Sequence, residues 1–267
     1  MTKKPYLIAV DLDGTLLTDN KTISTRTKQS LHQAVKQGHK VVISTGRPFR
    51  SSEMYYKELG LDTPIVNFNG ALVHHPLHPE WGVFHSPLEA NIAKQIIQTA
   101  GEFGVQNIMV EVMDDVYLKE HDEVLLQSFF DPTIEITLLS DSFHKDPTSV
   151  LIHPYEHNVD KLREFLDQHH AEVVEHRKWG APWNVIEIIR KGLSKAVGLE
   201  RVCHSFDIPA ERVIAFGDED NDFEMIQFAG VGVAMGNAIA DLKERANEIT
   251  LTNEEDGIAH FLEKNLL

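Results

Sequence analysis

The chain is nearly free of cysteine. Cys203 stands alone among 267 residues, so no internal disulfide forms, and a reducing cytoplasm is the expected compartment rather than a secreted, stapled scaffold. Positive charge is scarce as well. Lys and Arg number 25 against 41 Asp and Glu, a formal net charge of -16, which excludes nucleic acid and anionic membranes as expected partners because both are bound through clustered Lys and Arg. Long hydrophobic runs are missing. The apolar stretch from Tyr6 to Val10 follows a basic start, Met1 to Pro5, and is broken at once by Asp11 and Asp13, too short for a signal peptide or a membrane span. No Pro, Gly or Ser tract interrupts the chain, and 42% hydrophobic with 25% charged residues is the composition of an ordinary folded domain, which excludes disorder.

Several catalytic signatures are absent too. There is no Gly-x-x-x-x-Gly-Lys, no Gly-x-Ser-x-Gly and no His-Glu-x-x-His, and the glycines at Gly230, Gly232 and Gly236 have the wrong spacing for a dinucleotide fingerprint. The acidic balance adds one requirement. A small anion binds such a protein only where local cations or aligned backbone N–H groups reverse the field.

What is present is an alternation of apolar runs and helical patterns. Tyr6 to Val10 reads as a strand buried on both faces. Ser24 to Gln37 reads as a helix, with Ser24 as N-cap, Leu31, Ala34 and Val35 as its apolar stripe and Gly38 as its stop. Strands follow at Lys40 to Ser44 and Pro64 to Phe68. The alternation returns with a helix from Ser194 to Phe206, a strand from Arg212 to Phe216, a helix, the strand-like Gly232 to Met235, another helix and a final short strand. Between these halves, strand-like Gln106 to Val112, Thr148 to His153 and Asn184 to Ile189 are separated by helical stretches such as Asn158 to Gln168. The expected fold is therefore α/β: a Rossmann-like parallel-sheet core, residues 1–83 and 189–267, carrying an inserted α+β domain, residues 84–188. In such a sheet the ligand crevice lies outside the carboxyl ends of the strands, where this chain places Asp11 to Thr15, Ser44 to Arg47 and Gly217 to Asp222.

Asp11-Leu12-Asp13-Gly14-Thr15-Leu16 offers two carboxylates two residues apart at a strand end: metal ligands, an acid/base pair or part of a calcium loop. The calcium loop fails on spacing. It needs Gly at position six and Glu at twelve, and counting from Asp11 those places hold Leu16 and Thr22, while counting from Asp218 they hold Phe223 and Ala229. A glycosidase pair would have to flank a sugar at about 5 to 10 Å, which nothing in the sequence imposes. Gly217-Asp218-Glu219-Asp220-Asn221-Asp222 supplies hard oxygen ligands of the kind magnesium prefers, although Glu219 and Asp220 also fit a solvated helix start. Thr45-Gly46-Arg47 offers a hydroxyl and backbone N–H groups, and Lys195 a cation.

Asp-x-Asp-Gly-Thr-Leu, Ser-Thr-Gly-Arg, Gly-x-Ser-Lys and Gly-Asp-x-x-Asn-Asp, in this order, resemble the haloacid dehalogenase-like phosphatases, and more narrowly their Cof-type branch with a type IIB cap. The likeness covers essentially the whole chain. It implies a magnesium-dependent hydrolase of phosphate monoesters of small metabolites, sugar phosphates foremost, acting through an aspartyl-phosphate. In that reading Asp11 is the nucleophile and Asp13 the acid/base; Leu12, Thr45, Gly46, Lys195 and Asn221 contact phosphate; Asp11, the Asp13 backbone carbonyl and Asp218 hold Mg2+; Asp222, Arg47 and Asn69 support them. Ser44 departs from the Ala frequent in the family and leaves Thr45 in place. Phosphate-ester hydrolysis is slow enough uncatalysed that a nucleophile, cations and an acid are all required. Because an ordinary Asp is protonated only about one part in a thousand at neutral pH, Asp13 requires a raised pKa in the substrate complex. A phosphotransferase or phosphomutase uses the same intermediate, and a non-catalytic phosphometabolite-binding protein is the distant alternative. The expected partner is a small phosphorylated metabolite, and the expected state a monomer or weak homo-oligomer. His74, His75 and His78 read as a solvated loop entering the inserted domain, with transition-metal ligation as the competing reading, and Cys203 as a quietly buried thiol.

Overall fold

A computed structural model describes residues 4–122, 135–140, 143–170, 172–178 and 184–267. Met1 to Lys3 of the basic N-terminal segment, and parts of the expected insertion, lie outside the described residues. The chain forms two compact units, residues 1–48, 52–84 and 194–267 in one, and 49–51 and 85–193 in the other. No helix among the described residues is long and apolar enough to cross a membrane.

The first unit is built on a five-stranded parallel sheet in the order Glu248–Ile249, Val231–Ala234, Val213–Gly217, Leu7–Val10, Lys40–Ile43. Leu7–Val10 lies between two neighbours, pairing from Leu7 with Val213 and Lys40 to Val10 with Phe216 and Ile43, and none of its four side chains reaches solvent. That is the physical reason its sequence is a continuous apolar run instead of an alternation. Ser24 accepts a hydrogen bond from the Thr27 N–H and starts the helix Thr25–Lys36, which buries Leu31 and Ala34. Gly38, at φ +92°, ends it in the left-handed region that a side chain resists. Ser194 caps the helix Lys195–Ser205 in the same way, accepting from the Val197 N–H. Cys203, on that helix, is buried, and burial pushes its thiol up to about 11, the inert behaviour of a core thiol. A last helix, Gly257–Asn265, absent from the sequence-based expectation, packs on Thr25–Lys36.

One strand departs from expectation. Ile65–Asn67 is not a full member of the parallel sheet but pairs antiparallel with Leu72–His74, in a small sheet completed by Val83–His85. A single bridge, Ser44 to Val66, ties it to the core, with the Thr45 N–H donating to the Val66 carbonyl at 2.9 Å. The cause is the turn that follows. Phe68, Asn69 and Gly70 take φ values of 49°, 52° and 96° in succession, which reverses the chain immediately. The histidines that follow are also not all solvated: His75 is 8% exposed.

The second unit is a six-stranded sheet in the order Val174–Lys178, Ile186–Arg190, Ser149–Pro154, Val105–Val112, Asp115–Leu118, Ile136–Leu138, antiparallel except for its last pair. Helices Ala90–Glu102 and Val159–His169 bury Ile96, Leu162 and Leu166 in a core shared with Ile108, Val110 and Ile152 of the strands. Strand Ile186–Arg190 runs across the expected boundary at 188/189. Residues 49–51 join this unit through Arg50, whose guanidinium pairs with the buried Glu111 and whose N–H donates to Asp114 Oδ1 at 2.9 Å.

Candidate active site

The carboxyl ends of three strands of the first unit bring the polar clusters together. Asp11 continues the sheet, its N–H donating to the Phe216 carbonyl at 3.2 Å, and the next residues fold back as the Leu17 N–H reaches the Leu12 carbonyl at 2.8 Å. Gly14 sits at φ +72°, and a Cβ there would lie 2.1 Å from Asp218 Oδ2. Conformation and space both require glycine at this point. Thr15 Oγ1 donates to Asp218 Oδ1 at 2.7 Å, a contact carried by a motif residue that the sequence reading assigned no task.

Lys195 opens its helix fully buried. Its ammonium donates to Asp11 Oδ1 and to Asp222 Oδ1, both at 2.7 Å. Asp222 spends its other oxygen on the N–H groups of Asp218 at 2.9 Å and Glu219 at 3.2 Å, which pins the acidic loop to the end of strand Val213–Gly217. Glu219 closes a capping box with Asp222, the helix-start role open to it from sequence.

The electrostatics of this cluster are unbalanced. Asp11, Asp218 and Asp222 are all buried, with a carboxylate oxygen from each within 4.8 Å of the other two. With all three ionised, Lys195 provides one positive charge against three negative ones among the described residues, leaving two uncompensated. Burial pushes Asp11 up to about 8; Lys195 opposes the rise, and Asp222 and Asp218 add to it. Asp218 is pushed up to about 7, first by burial and then by Asp222, against the Thr15 hydrogen bond. Lys195, despite the burial that disfavours its charge, is raised by Asp11 and Asp222 and stays an ammonium. The deficit equals one divalent cation, and the donors are hard oxygens, so the residues fit magnesium.

Asp13 stands apart from that triad. Arg47 Nε donates to its Oδ2 and an Arg47 terminal nitrogen to its Oδ1, both at 2.6 Å, and Lys21 Nζ donates to Oδ1 at 2.7 Å. Burial alone would raise this carboxyl, but the hydrogen bonds and charges of Arg47 and Lys21 reverse that and hold it at about 2. The raised value that an acid needs is thus not the resting condition of Asp13. Lys21 was missed from sequence because a Lys in a polar turn carries no signal.

The remaining residues form one connected turn. Thr45, 1% exposed, accepts from the Arg47 N–H at 3.1 Å through its hydroxyl, and its carbonyl accepts from the Asn69 N–H at 3.1 Å. Asn221 Nδ2 donates to Asn69 Oδ1 at 3.1 Å. Gly46 lies against the same side chain, since a Cβ on it would stand 3.2 Å from Asn69 Oδ1. Leu12 is fully buried, and with an apolar side chain the polar groups it has to offer are those of its backbone.

The sequence matches the haloacid dehalogenase-like hydrolase family over residues 8–262. It is 53% identical over 266 residues to the 5-amino-6-(5-phospho-D-ribitylamino)uracil phosphatase YitU of Bacillus subtilis, covering 99% of this chain and 98% of that protein. It is 31% identical to the pyridoxal phosphate phosphatase YbhA of Escherichia coli over 98% of both chains. The solved structure of TM0651 from Thermotoga maritima superposes with a TM-score of 0.85 at 27% identity, covering 99% of this chain and 98% of that one. With a parallel-sheet core, an inserted antiparallel unit and relatives matched from end to end, the chain belongs to the haloacid dehalogenase-like hydrolases and to their Cof-type phosphatase branch.

Proposed function

We propose that this protein hydrolyses phosphate monoesters of small cytoplasmic metabolites through a phosphorylated Asp11. The observation that carries the reading is Lys195, a fully buried ammonium 2.7 Å from both Asp11 and Asp222. It keeps Asp11 in place as a nucleophile and offsets charge when a carboxylate meets a phosphate dianion. Asp11, the Asp13 carbonyl and Asp218 would hold magnesium, which when bound supplies the positive charge that spreads over the transferring phosphoryl oxygens. Attack by an Asp11 oxygen on phosphorus breaks the bond to the ester oxygen, which leaves with a proton from Asp13. A water then gives a proton to Asp13 and attacks phosphorus, which breaks the bond to the Asp11 oxygen, frees the Asp11 carboxylate and releases inorganic phosphate. Thr45, Gly46, Asn221 and the Leu12 backbone are the groups we assign to the phosphoryl oxygens.

For Asp13 to donate a proton, its pairing with Arg47 and Lys21 must open. An incoming phosphate dianion provides the means, because it competes for the same guanidinium with twice the charge. We assign substrate choice to the inserted unit, whose contacts remote from the reacting bond would position the ester. The substrate class we favour is a phosphate ester on a sugar or sugar-alcohol chain, with a phosphoribitylated aminouracil as the first candidate, supported by the name of the 53%-identical relative.

The test is stoichiometric release of phosphate from a panel containing that compound, sugar phosphates and pyridoxal phosphate, with Asp11→Asn alongside. Turnover should fall to background in the folded variant. Near-normal phosphate release by Asp11→Asn would remove the nucleophile assignment, and transfer of phosphate to a second metabolite in place of release would make the enzyme a phosphotransferase.

A further inference from the structure

Four polar residues of the first unit take no part in this reading: Asp62, His75, His78 and Glu80. One donor atom from each of Asp62, His75 and His78 lies within 4.8 Å of the other two. Asp62 Oδ1 is 3.0 Å from His78 Nε2 and 3.7 Å from His75 Nε2. Two donors bound at about 2.0 to 2.2 Å to one tetrahedral ion stand roughly 3.4 Å apart, and these separations fall on either side of that figure. Glu80 Oε1 is 3.0 Å from His78 Nδ1, the arrangement in which a ligating imidazole gives its other N–H to a carboxylate. Pro76 and Pro79 fix φ on either side of Leu77 and His78, so little loop entropy remains to be lost when a ligand binds.

Burial, and then the neighbouring His78, hold His75 below the usual imidazole range. His78 is raised, first by its hydrogen bond to Glu80.

We propose that Asp62, His75 and His78 form a binding site for a zinc-class divalent transition metal, separate from the acidic cluster, with Glu80 orienting His78. The ion would tie the loop at 75–82 to the segment carrying Asp62. Because the Leu77 N–H donates to His75 Nδ1 at 3.3 Å, the neutral ring carries its proton on Nε2. Ligation through Nε2 shifts that proton to Nδ1 and gives up one long hydrogen bond, with no net change in protons.

The experiment uses the full chain, stripped of metal and then saturated with magnesium so that the acidic cluster is occupied. Zn2+ is titrated by calorimetry, and Co2+ by its visible ligand-field bands. Wild type should bind one ion with micromolar affinity or better and melt at a higher temperature with zinc than without. Asp62→Ala and His78→Ala should each weaken binding by roughly 100-fold or more. Both side chains are substantially exposed, at 70% and 48%, so these variants keep the zinc-free melting temperature. Asp218→Asn should leave zinc affinity unchanged. Isotherms that are the same in wild type, Asp62→Ala and His78→Ala would overturn the proposal, as would the absence of wild-type binding or its loss in Asp218→Asn alone.

Discussion

Replacing Lys195 with Met keeps most of the side-chain volume and removes the one cation of the acidic cluster. The ammonium is fully buried and lies 2.7 Å from two carboxylates, and breaking a buried ion pair from one side costs roughly 3 to 5 kcal/mol because a charge is left uncompensated. Against unfolding free energies of about 5 to 15 kcal/mol, that is roughly a fifth of the stability or more. In a unit of this size it lowers the melting temperature by roughly 6 to 20 °C. The effect must depend on pH in a definite sense. Asp11 and Asp218 have folded-state values of about 8 and about 7, above the value of about 3.9 in the unfolded chain, so the native state binds the extra protons. The stability this confers is complete below about pH 4 and is lost as pH rises through 7 and 8. Metal-free wild type should therefore melt lower at pH 8.5 than at pH 5.5, and Lys195→Met should show a steeper fall, since Lys195 opposes the rise of Asp11. Thermal melts followed by circular dichroism in chelator measure both slopes, and saturating magnesium should flatten the wild-type slope. Equal melting temperatures for Lys195→Met and wild type at pH 8 would show that the buried carboxylates do not need this ammonium, and the charge-deficit account would fail.

Four further outcomes follow from the same geometry. Gly14→Ala forces a left-handed backbone costing about 1 to 2 kcal/mol and drives a methyl into Asp218; phosphate-release kinetics should show kcat lower by roughly 10²-fold through misplacement of that carboxylate. Asp218→Asn should raise the magnesium concentration for half-maximal activity at least roughly tenfold, while at pH 8 in chelator the variant melts higher than wild type; Asp220→Ala should change neither quantity much. Arg47→Ala removes the bidentate partner that holds Asp13 at about 2, so the Asp13 carboxyl should move up toward its ordinary value, visible as a shifted titration in carboxyl-labelled NMR. Excision of residues 85–193 across a flexible linker, in a variant that still folds and binds magnesium, should keep some aryl-phosphate hydrolysis and flatten the differences in kcat/KM among metabolites.

What could be read from the sequence was local or periodic. The buried strand Leu7–Val10 announced itself because a strand covered on both faces has no polar positions to alternate with. Ser24, Gly38 and Ser194 marked helix ends because caps and left-handed stops are chosen by backbone groups within a few residues. Pairing between segments was less legible. Ile65–Asn67 has the same apolar character whether it joins a parallel sheet or turns back on Leu72–His74, and the choice is made by the turn at Phe68 to Gly70. Nothing in the sequence marks Arg50, and its contacts with Glu111, 61 positions away, and with Asp114 assign it to the second unit. His75 reads as solvated until the fold buries it.

The active-site carboxylates show where that limit lies in physical terms. Asp11, Asp13 and Asp218 share a residue type and all lie at strand ends, yet one is held at about 2 and the others are pushed to about 8 and about 7. A pKa is set by burial and by the charges that happen to be near, and those charges come from Lys21, Arg47, Lys195 and Asp222, scattered over some two hundred positions. The motif thus specifies which atoms meet, because strand ends converge wherever a parallel sheet forms. It does not specify which of them holds a proton. In this chain that depends on where two cations stand: Lys195 is buried between Asp11 and Asp222 and fixed by its helix, whereas Arg47 grips Asp13 at a partly exposed rim. A buried ammonium that cannot leave opposes the rise of Asp11 and favours its ionised form, as a nucleophile next to phosphate requires. A partly exposed guanidinium can release a carboxylate that must alternate between acid and base, so the difference in exposure of the two cations separates the two tasks that the Asp-x-Asp spacing leaves equivalent.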